Sequence, residues 1–218
     1  MAEEPDKYLT LSGYSEGVYK EKGSRFLAFA WPVFTEDEVR QHIKGLKKTY
    51  FDARHHVYAF RLGADMKTYR CSDDGEPANS SGPPVLGQIQ SANLTNVLIV
   101  VVRYFGGTKL GVSGLINAYR TAASDAIANN QIVEQYEQDR FTIKFDYAAM
   151  NDVMRVLKDE NPQQTNQQFD NQCSIDLSIR KTQGDALRQK LAKIDGVEIG
   201  SSMTILQVDD SAVCRFIR

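Results

Sequence analysis

Six consecutive apolar residues, Val97 to Val102, break the otherwise mixed pattern of the chain. Five of the six are β-branched, and no polar residue alternates with them. Such a run predicts a strand buried on both faces. It stops at Arg103-Tyr104-Phe105-Gly106-Gly107-Thr108-Lys109-Leu110-Gly111, and a helical pattern follows on Leu115, Ile116, Tyr119, Ala122 and Ala123. Upstream, residues 8–19 and 25–33 read as two strands joined by a polar turn. Thr35 is an N-cap candidate, followed by Glu36, Asp37 and Glu38 where the helix dipole favours acids. That helix presents Val39, Ile43, Leu46 and Tyr50 on one face. Residues 54–62 and 68–72 alternate as strands, and a short apolar helix carries Val85, Leu86 and Ile89. The order β-β-α-β-β-α-β-α predicts an α+β domain whose helices cross a mixed sheet.

From Phe141 the pattern changes. A strand (141–145), a helix (150–157), a polar hairpin (163–169 and 174–179), a helix (185–194) and a strand (197–208) follow one another. That is the split βαβ, or ferredoxin-like, order. The stretch 133–140 is polar and reads as the linker, which sets two domains, 1–135 and 136–218.

Composition narrows the function classes. The chain has 218 residues, 26 basic and 28 acidic, for a net charge of −2. A general polyanion binder is not indicated, although residues 40–120 hold 11 basic against 5 acidic residues. That excess is either a locally basic face or a scatter of solvated charges. No apolar stretch reaches membrane-spanning length, and the start, Met1-Ala2-Glu3-Glu4-Pro5-Asp6, lacks the basic and apolar regions of a secretory signal. Cys71, Cys173 and Cys214 are widely spaced and odd in number. They suggest neither a disulfide framework nor a zinc site, and fit a reducing cytoplasm. The pattern leaves the oligomeric state open.

Candidate chemistry sits in the loops. A buried strand, a glycine-rich basic loop and a helix can aim backbone N–H groups at an anion. The plain alternative is a tight turn with Tyr104 and Phe105 plugging the core. The loop has no Gly-Lys-Ser/Thr ending and no Gly-x-Gly-x-x-Gly, so a nucleotide-hydrolysing core is not supported. His55 and His56 are adjacent on a strand and must point to opposite faces. Asp73, Asp74 and Glu76 either hold a magnesium ion, act as acid and base, or are caps and solvated charges. Ser80 and Ser81 lack the nucleophile elbow, which argues against a serine hydrolase.

Four segments occur in order: Lys22-Gly23-Ser24-Arg25-Phe26, Asp52-Ala53-Arg54-His55-His56, Asp73-Asp74-Gly75-Glu76-Pro77 and Arg103 to Gly111. Together they resemble the IMPACT/YigZ family over residues 15–130. The family usually continues Asp-Gly-Glu-Pro with a small residue and Gly-Thr-Ala-Gly. This chain reads Ala78-Asn79-Ser80-Ser81-Gly82 instead, which puts the contact of the usual threonine in question. The resemblance implies an N-terminal domain like the second domain of a ribosomal small-subunit protein. It implies a C-terminal domain like the last one of elongation factor G. It also implies a role in translation: eukaryotic relatives regulate it through an additional N-terminal domain that this sequence lacks.

The reading that follows is a cytosolic, non-catalytic protein that binds RNA or the ribosome. Arg103 and Lys109 meet phosphates, Gly106 and Gly107 supply backbone N–H groups, and Lys22 and Arg25 extend the basic surface. Tyr104 or Phe105 stacks on a base. No cofactor is expected, apart from a magnesium ion as one reading of the acidic loop. Two other readings remain open. One is a hydrolase-like small-molecule enzyme in a cleft between His55 or His56, the acidic loop and the glycine loop. The other is a protein-interaction module with an apolar C-terminal sheet face.

Overall fold

The computed structural model describes residues 6–170 and 172–200, and the chain divides after residue 135 into two units. In unit one, β1 (Lys7–Leu11), β2 (Ser15–Glu21), β3 (Ser24–Pro32) and α1 (Glu36–Thr49) are followed by β4 (His55–Leu62) and β5 (Thr68–Ser72). Then come α2 (Gly82–Ser91), β6 (Val97–Tyr104), α3 (Gly111–Ala128) and β7 (Ile132–Tyr136). Five strands form one sheet in the order β2-β3-β6-β4-β5, and β1 pairs with β7 in a separate ribbon. The single strand expected over residues 8–19 is therefore two, because Ser12-Gly13-Tyr14 breaks it.

Strand β6 lies at the sheet's centre and is buried from Val97 to Arg103. Val97, Ile99 and Val101 pack with α2 and α3 residues such as Val85, Ile89, Leu115 and Tyr119. Leu98, Val100 and Val102 pack on the other face with Val39 and Leu46 of α1. The unbroken apolar run follows directly from this two-sided burial. Thr35 caps α1 by accepting from the Glu38 N–H at 3.2 Å.

The sheet is antiparallel at every pairing, not mixed. The α1 crossover does leave β3 and β4 running the same way. However, β6 inserts between them and pairs antiparallel with both. The order of elements predicts the crossover, while the insertion depends on a strand 35 residues further on.

Unit two contains β8 (Gln138–Phe145), α4 (Met150–Glu160), β9 (Gln163–Phe169), β10 (Cys173–Arg180), α5 (Lys181–Leu191) and β11 (Val197–Ile199). Its sheet order is β11-β8-β10-β9, antiparallel at every pairing, which is the split βαβ plan. The stretch read as a linker is mostly strand, in β7 and β8. Polar residues open β8, and buried Phe141, Ile143 and Phe145 alternate with polar ones only beyond that stretch. The end of the last expected strand, residues 201–208, lies outside the described residues.

Phe141, Ile143, Phe145, Ile175 and Leu177 form this unit's core with Val153, Leu157 and Leu187. Arg188 clamps Asp139 with two hydrogen bonds of 3.0 and 2.8 Å. The opposite sheet face carries Arg140, Thr142 and Lys144 against Ser178, Asp176 and Ser174. It is polar among the described residues and offers no apolar docking face. The polar alternation that marks β8 and β10 as half-buried strands is the same fact seen from the sequence.

Two-sided burial of β6 has a measurable consequence. Ile99→Ala and Leu98→Ala remove side chains from opposite faces of one strand. Each is expected to cost about 2–5 kcal/mol. Trp31 is the chain's one tryptophan and lies in unit one, so its fluorescence in a urea titration reports that unit. A near-neutral result for either substitution would mean that its face is not closed.

Candidate functional site at one end of the sheet

Four segments converge where β3 and β4 begin and β6 ends. The start of β4 brings His55, the end of β6 brings Arg103 and Tyr104, and the start of β3 brings Ser24 and Arg25. The loop of residues 73–82 closes over the same end, because Asp74 bonds the first residues of β4.

That loop is braced by its own carboxylates. Asp73 accepts from the N–H groups of Asn79 (2.8 Å), Ser81 (3.0 Å) and Gly82 (2.8 Å), and from Ser81 Oγ (2.6 Å). It thereby caps α2, whose N-cap Ser81 makes no side-chain cap of its own. Burial pushes the Asp73 carboxyl up, but these four donors outweigh it and hold its pKa below the ordinary carboxylate value. Asn79 takes φ 62°, the left-handed conformation that a family glycine adopts without strain and asparagine tolerates. Ser80 stands where the family has threonine, and its hydroxyl donates to the Pro77 carbonyl at 2.6 Å. Asp74 accepts from the His56 N–H at 2.7 Å and from Lys47 Nζ at 3.1 Å.

Glu76 and Arg103 form the centre. Their side chains are 4% and 7% exposed, and Nη1 lies 2.5 Å from Oε1. Tyr119 of α3 donates to the same oxygen at 2.8 Å. Burial, and then the Glu76 carboxylate, push the Tyr119 phenol well above its ordinary pKa and keep it a donor. The Arg103 guanidinium also lies near the rings of Phe26 and Phe105, at 5.4 and 5.6 Å. Arg103 is thus withdrawn as a phosphate contact. It is an interior cation whose charge is matched by Glu76, since a buried unpaired guanidinium is prohibitively costly. Tyr119 was legible only as a core position. The available signal was a tyrosine on an alanine- and leucine-lined face, whose hydroxyl needs a partner once buried.

His55 and His56 do point to opposite faces. His55 Nδ1 lies 2.8 Å from the Asp74 carbonyl, and Nε2 lies 3.9 Å from Glu76 Oε1. His56 is 5% exposed, and its Nε2 has no hydrogen-bond partner. Burial lowers the His56 pKa, with Lys47 and His55 adding to the effect and Asp74 opposing it. Asp73, Asp74 and Glu76 serve separate partners. Among the described residues, no group of three or more His, Cys, Asp or Glu side chains is placed to hold a metal ion.

The glycine loop makes the outer rim. Lys22 (φ 46°) and Gly23 (φ 80°) form the two-residue turn between β2 and β3, both left-handed as that hairpin geometry requires. Gly106 rests against that turn, and a Cβ there would fall 1.9 Å from the Gly23 carbonyl carbon. The Gly106 N–H donates to buried Ser24 Oγ at 3.1 Å. Backbone-to-backbone contact, which only glycine permits here, therefore fixes the loop beside the turn. Gly107 (φ 86°) and Gly111 (φ 74°) complete the bend into α3.

Lys22, Arg25 and Lys109 are exposed, and Phe105 is 52% exposed. Tyr104 is more committed than Phe105, since its hydroxyl donates to Asp52 at 2.8 Å and Arg25 covers its ring at 5.2 Å. The first turn of α3 has neither a capping side chain nor an acidic residue. Its N–H groups and partial positive charge are therefore available to an anion.

The Impact N-terminal domain model matches residues 22–127, which contain every one of these side chains. IMPACT family member YvyE of Bacillus subtilis is 31% identical over 152 residues, 70% of each chain. A crystal structure of a hypothetical protein superposes with a TM-score of 0.69 at 23% identity, covering 92% of this chain and 99% of that one, which speaks to the fold. The two-domain translational regulator Yih1 is 28% identical over 55% of this chain and 48% of its own, with a TM-score of 0.36.

Two outcomes test the centre. Arg103→Ala leaves Glu76 buried and uncompensated and is expected to cost about 3–5 kcal/mol by Trp31 fluorescence. Arg103→Met/Glu76→Gln should recover a large part of that loss. A double variant no better than Arg103→Ala would refute the pairing.

The second outcome concerns pH. His56 and His42 both have pKa values lowered by burial, so the unfolded chain takes up protons that the folded one resists. Stability should be level above the ordinary histidine pKa of about 6.5 and fall as the pH drops below it. A His42→Gln/His56→Gln variant should show a flatter urea midpoint over that window. An unchanged pH slope would exclude these two rings as its source.

Proposed function

The chain belongs to the IMPACT family, and we propose that it is a cytosolic, non-catalytic protein acting in translation through contact with RNA or the ribosome. The observation carrying this reading is the docking of the glycine loop on the β2–β3 turn. Gly106 against Gly23 joins Lys22 and Arg25 to Lys109, exposed Phe105 and the uncapped start of α3. Cations beside free backbone donors meet phosphates, and an exposed ring beside them stacks on a base. Arg103 has no direct part in this contact. It holds Glu76, and through it the loop of residues 73–82, beneath the surface that binds. The translational setting is carried over from family membership, as is the likeness of unit two to the last domain of elongation factor G.

The enzymatic alternative asks for a histidine working with a carboxylate. His55 stands near Glu76, but at 3.9 Å it is beyond hydrogen-bond reach. Glu76 is already engaged by Arg103 and Tyr119. The geometry therefore favours binding over proton transfer by that pair.

Binding to single-stranded RNA, duplex RNA and ribosomes across a salt series tests the proposal. Affinity should fall as salt rises. Lys22→Ala/Lys109→Ala should lower the magnitude of the log–log slope by about 2, near one for each lost phosphate contact. A folded protein that binds none of these at low salt would overturn the reading.

A further inference from the structure

The last row of side chains on the α3 face of the sheet reads Phe26, Arg103, His55 across β3, β6 and β4. Arg103 is held inside by Glu76, whereas His55 is the member of the cluster that reaches solvent. Its side chain is 15% exposed, against 7% for Arg103 and 4% for Glu76. Its tautomer follows from its partner. The Asp74 carbonyl can only accept, so Nδ1 carries the proton that points at it. In the neutral ring Nε2 is then a lone pair, and a second proton would be added at that atom.

The groups around it do not cancel the charge such a proton brings. Glu76 is matched by Arg103 and also accepts from Tyr119. The Asp74 carboxylate faces the His56 N–H and Lys47. His56 belongs to the opposite face of β4, and Gly75 packs against the His55 ring without adding charge. A protonated His55 therefore adds a net positive charge to this row, next to Arg103 and at its most exposed member.

Resting on the RNA-binding reading above, we propose that His55 is a phosphate contact of this site, engaged when its imidazole is protonated, and that its ligand is an oligonucleotide backbone and not a lone phosphate group. The span supports that ligand class. His55 on β4 lies two strands from β3, whose turn carries Lys22. At the usual interstrand spacing that is about 10 Å, a separation that lets the two side chains meet different phosphates of one strand. Successive phosphates of one strand reach both.

The probe is single-stranded oligouridylate of roughly 12 nucleotides, within the usual site sizes of single-strand binders. Uracil does not titrate near the histidine range. Binding is measured at constant salt from about pH 8 to about pH 5.5, on either side of the ordinary histidine pKa. The wild type should bind about tenfold tighter at the acidic end, the size of gain expected from one added charge-assisted hydrogen bond to phosphate. His55→Asn keeps a donor toward Asp74 but cannot titrate. It should match the wild type near pH 8 and stay flat. His55→Lys carries a permanent charge and should bind tightly at both ends. Inorganic phosphate, the second probe, should bind far more weakly than the oligonucleotide at every pH, because it meets one contact at a time.

A His55→Asn variant that keeps the wild-type pH dependence would overturn the assignment while leaving the RNA reading intact, as would a wild type with level affinity. Inorganic phosphate that binds as tightly as oligouridylate would overturn the oligonucleotide claim. Failure of the folded wild type to bind oligouridylate at any pH would remove both this inference and the reading it rests on.

Discussion

A buried charge pair holds together the end of the N-terminal unit's sheet where the candidate site lies. Glu76 and Arg103 are both nearly sealed from solvent, and neither ion is tolerable there alone. Each comes from a different part of the fold, Glu76 from the loop after β5 and Arg103 from the last turns of the central strand. Tyr119 adds α3 to the same oxygen. One carboxylate thus ties loop, sheet and helix together, and the orientation of His55 and the cap of α2 by Asp73 depend on that loop staying closed.

Both units solve the same topological problem in the same way. A helix crosses from one strand to another running parallel to it, and a later strand fills the gap antiparallel to both. In unit one β6 fills the gap between β3 and β4, and in unit two β10 fills the gap between β8 and β9. The filling strand is necessarily central. In unit one, where helices cover both faces, it is also the most apolar strand. In unit two only one face packs on helices, and β10 alternates buried and half-buried residues.

Placing the functional groups at the end of such a sheet has a physical logic. Strand ends leave backbone groups unpaired, and the loops that leave them are free to bend. Here Gly106 and Gly23 bring two of those loops into backbone contact, so side chains far apart in sequence share one rim. The rim is charged and exposed, and the layer beneath it is charged and buried. Those two layers differ in role: the lower one fixes shape, and the upper one carries the exposed cations of the proposed RNA contact.

The sequence alone determined the elements whose burial is simple. The β6 run, the Thr35 cap, the βαββαβ order of unit two and the opposite facing of His55 and His56 all follow from local pattern. That is because side-chain period and capping act over a few residues. It also placed Lys22 and Arg25 in one segment of the family resemblance, and Lys109 with the glycines in another. That Arg103 is interior and Lys109 is not came from the folded arrangement, since the apolar run before Arg103 does not show whether its charge finds a buried partner. Burial of a charge depends on a carboxylate 27 residues away and a tyrosine on a third element. The same holds for the all-antiparallel sheet and for the strands where a linker was expected: strand insertion and pairing are set by partners distant in sequence, and local hydrophobic period carries no record of them.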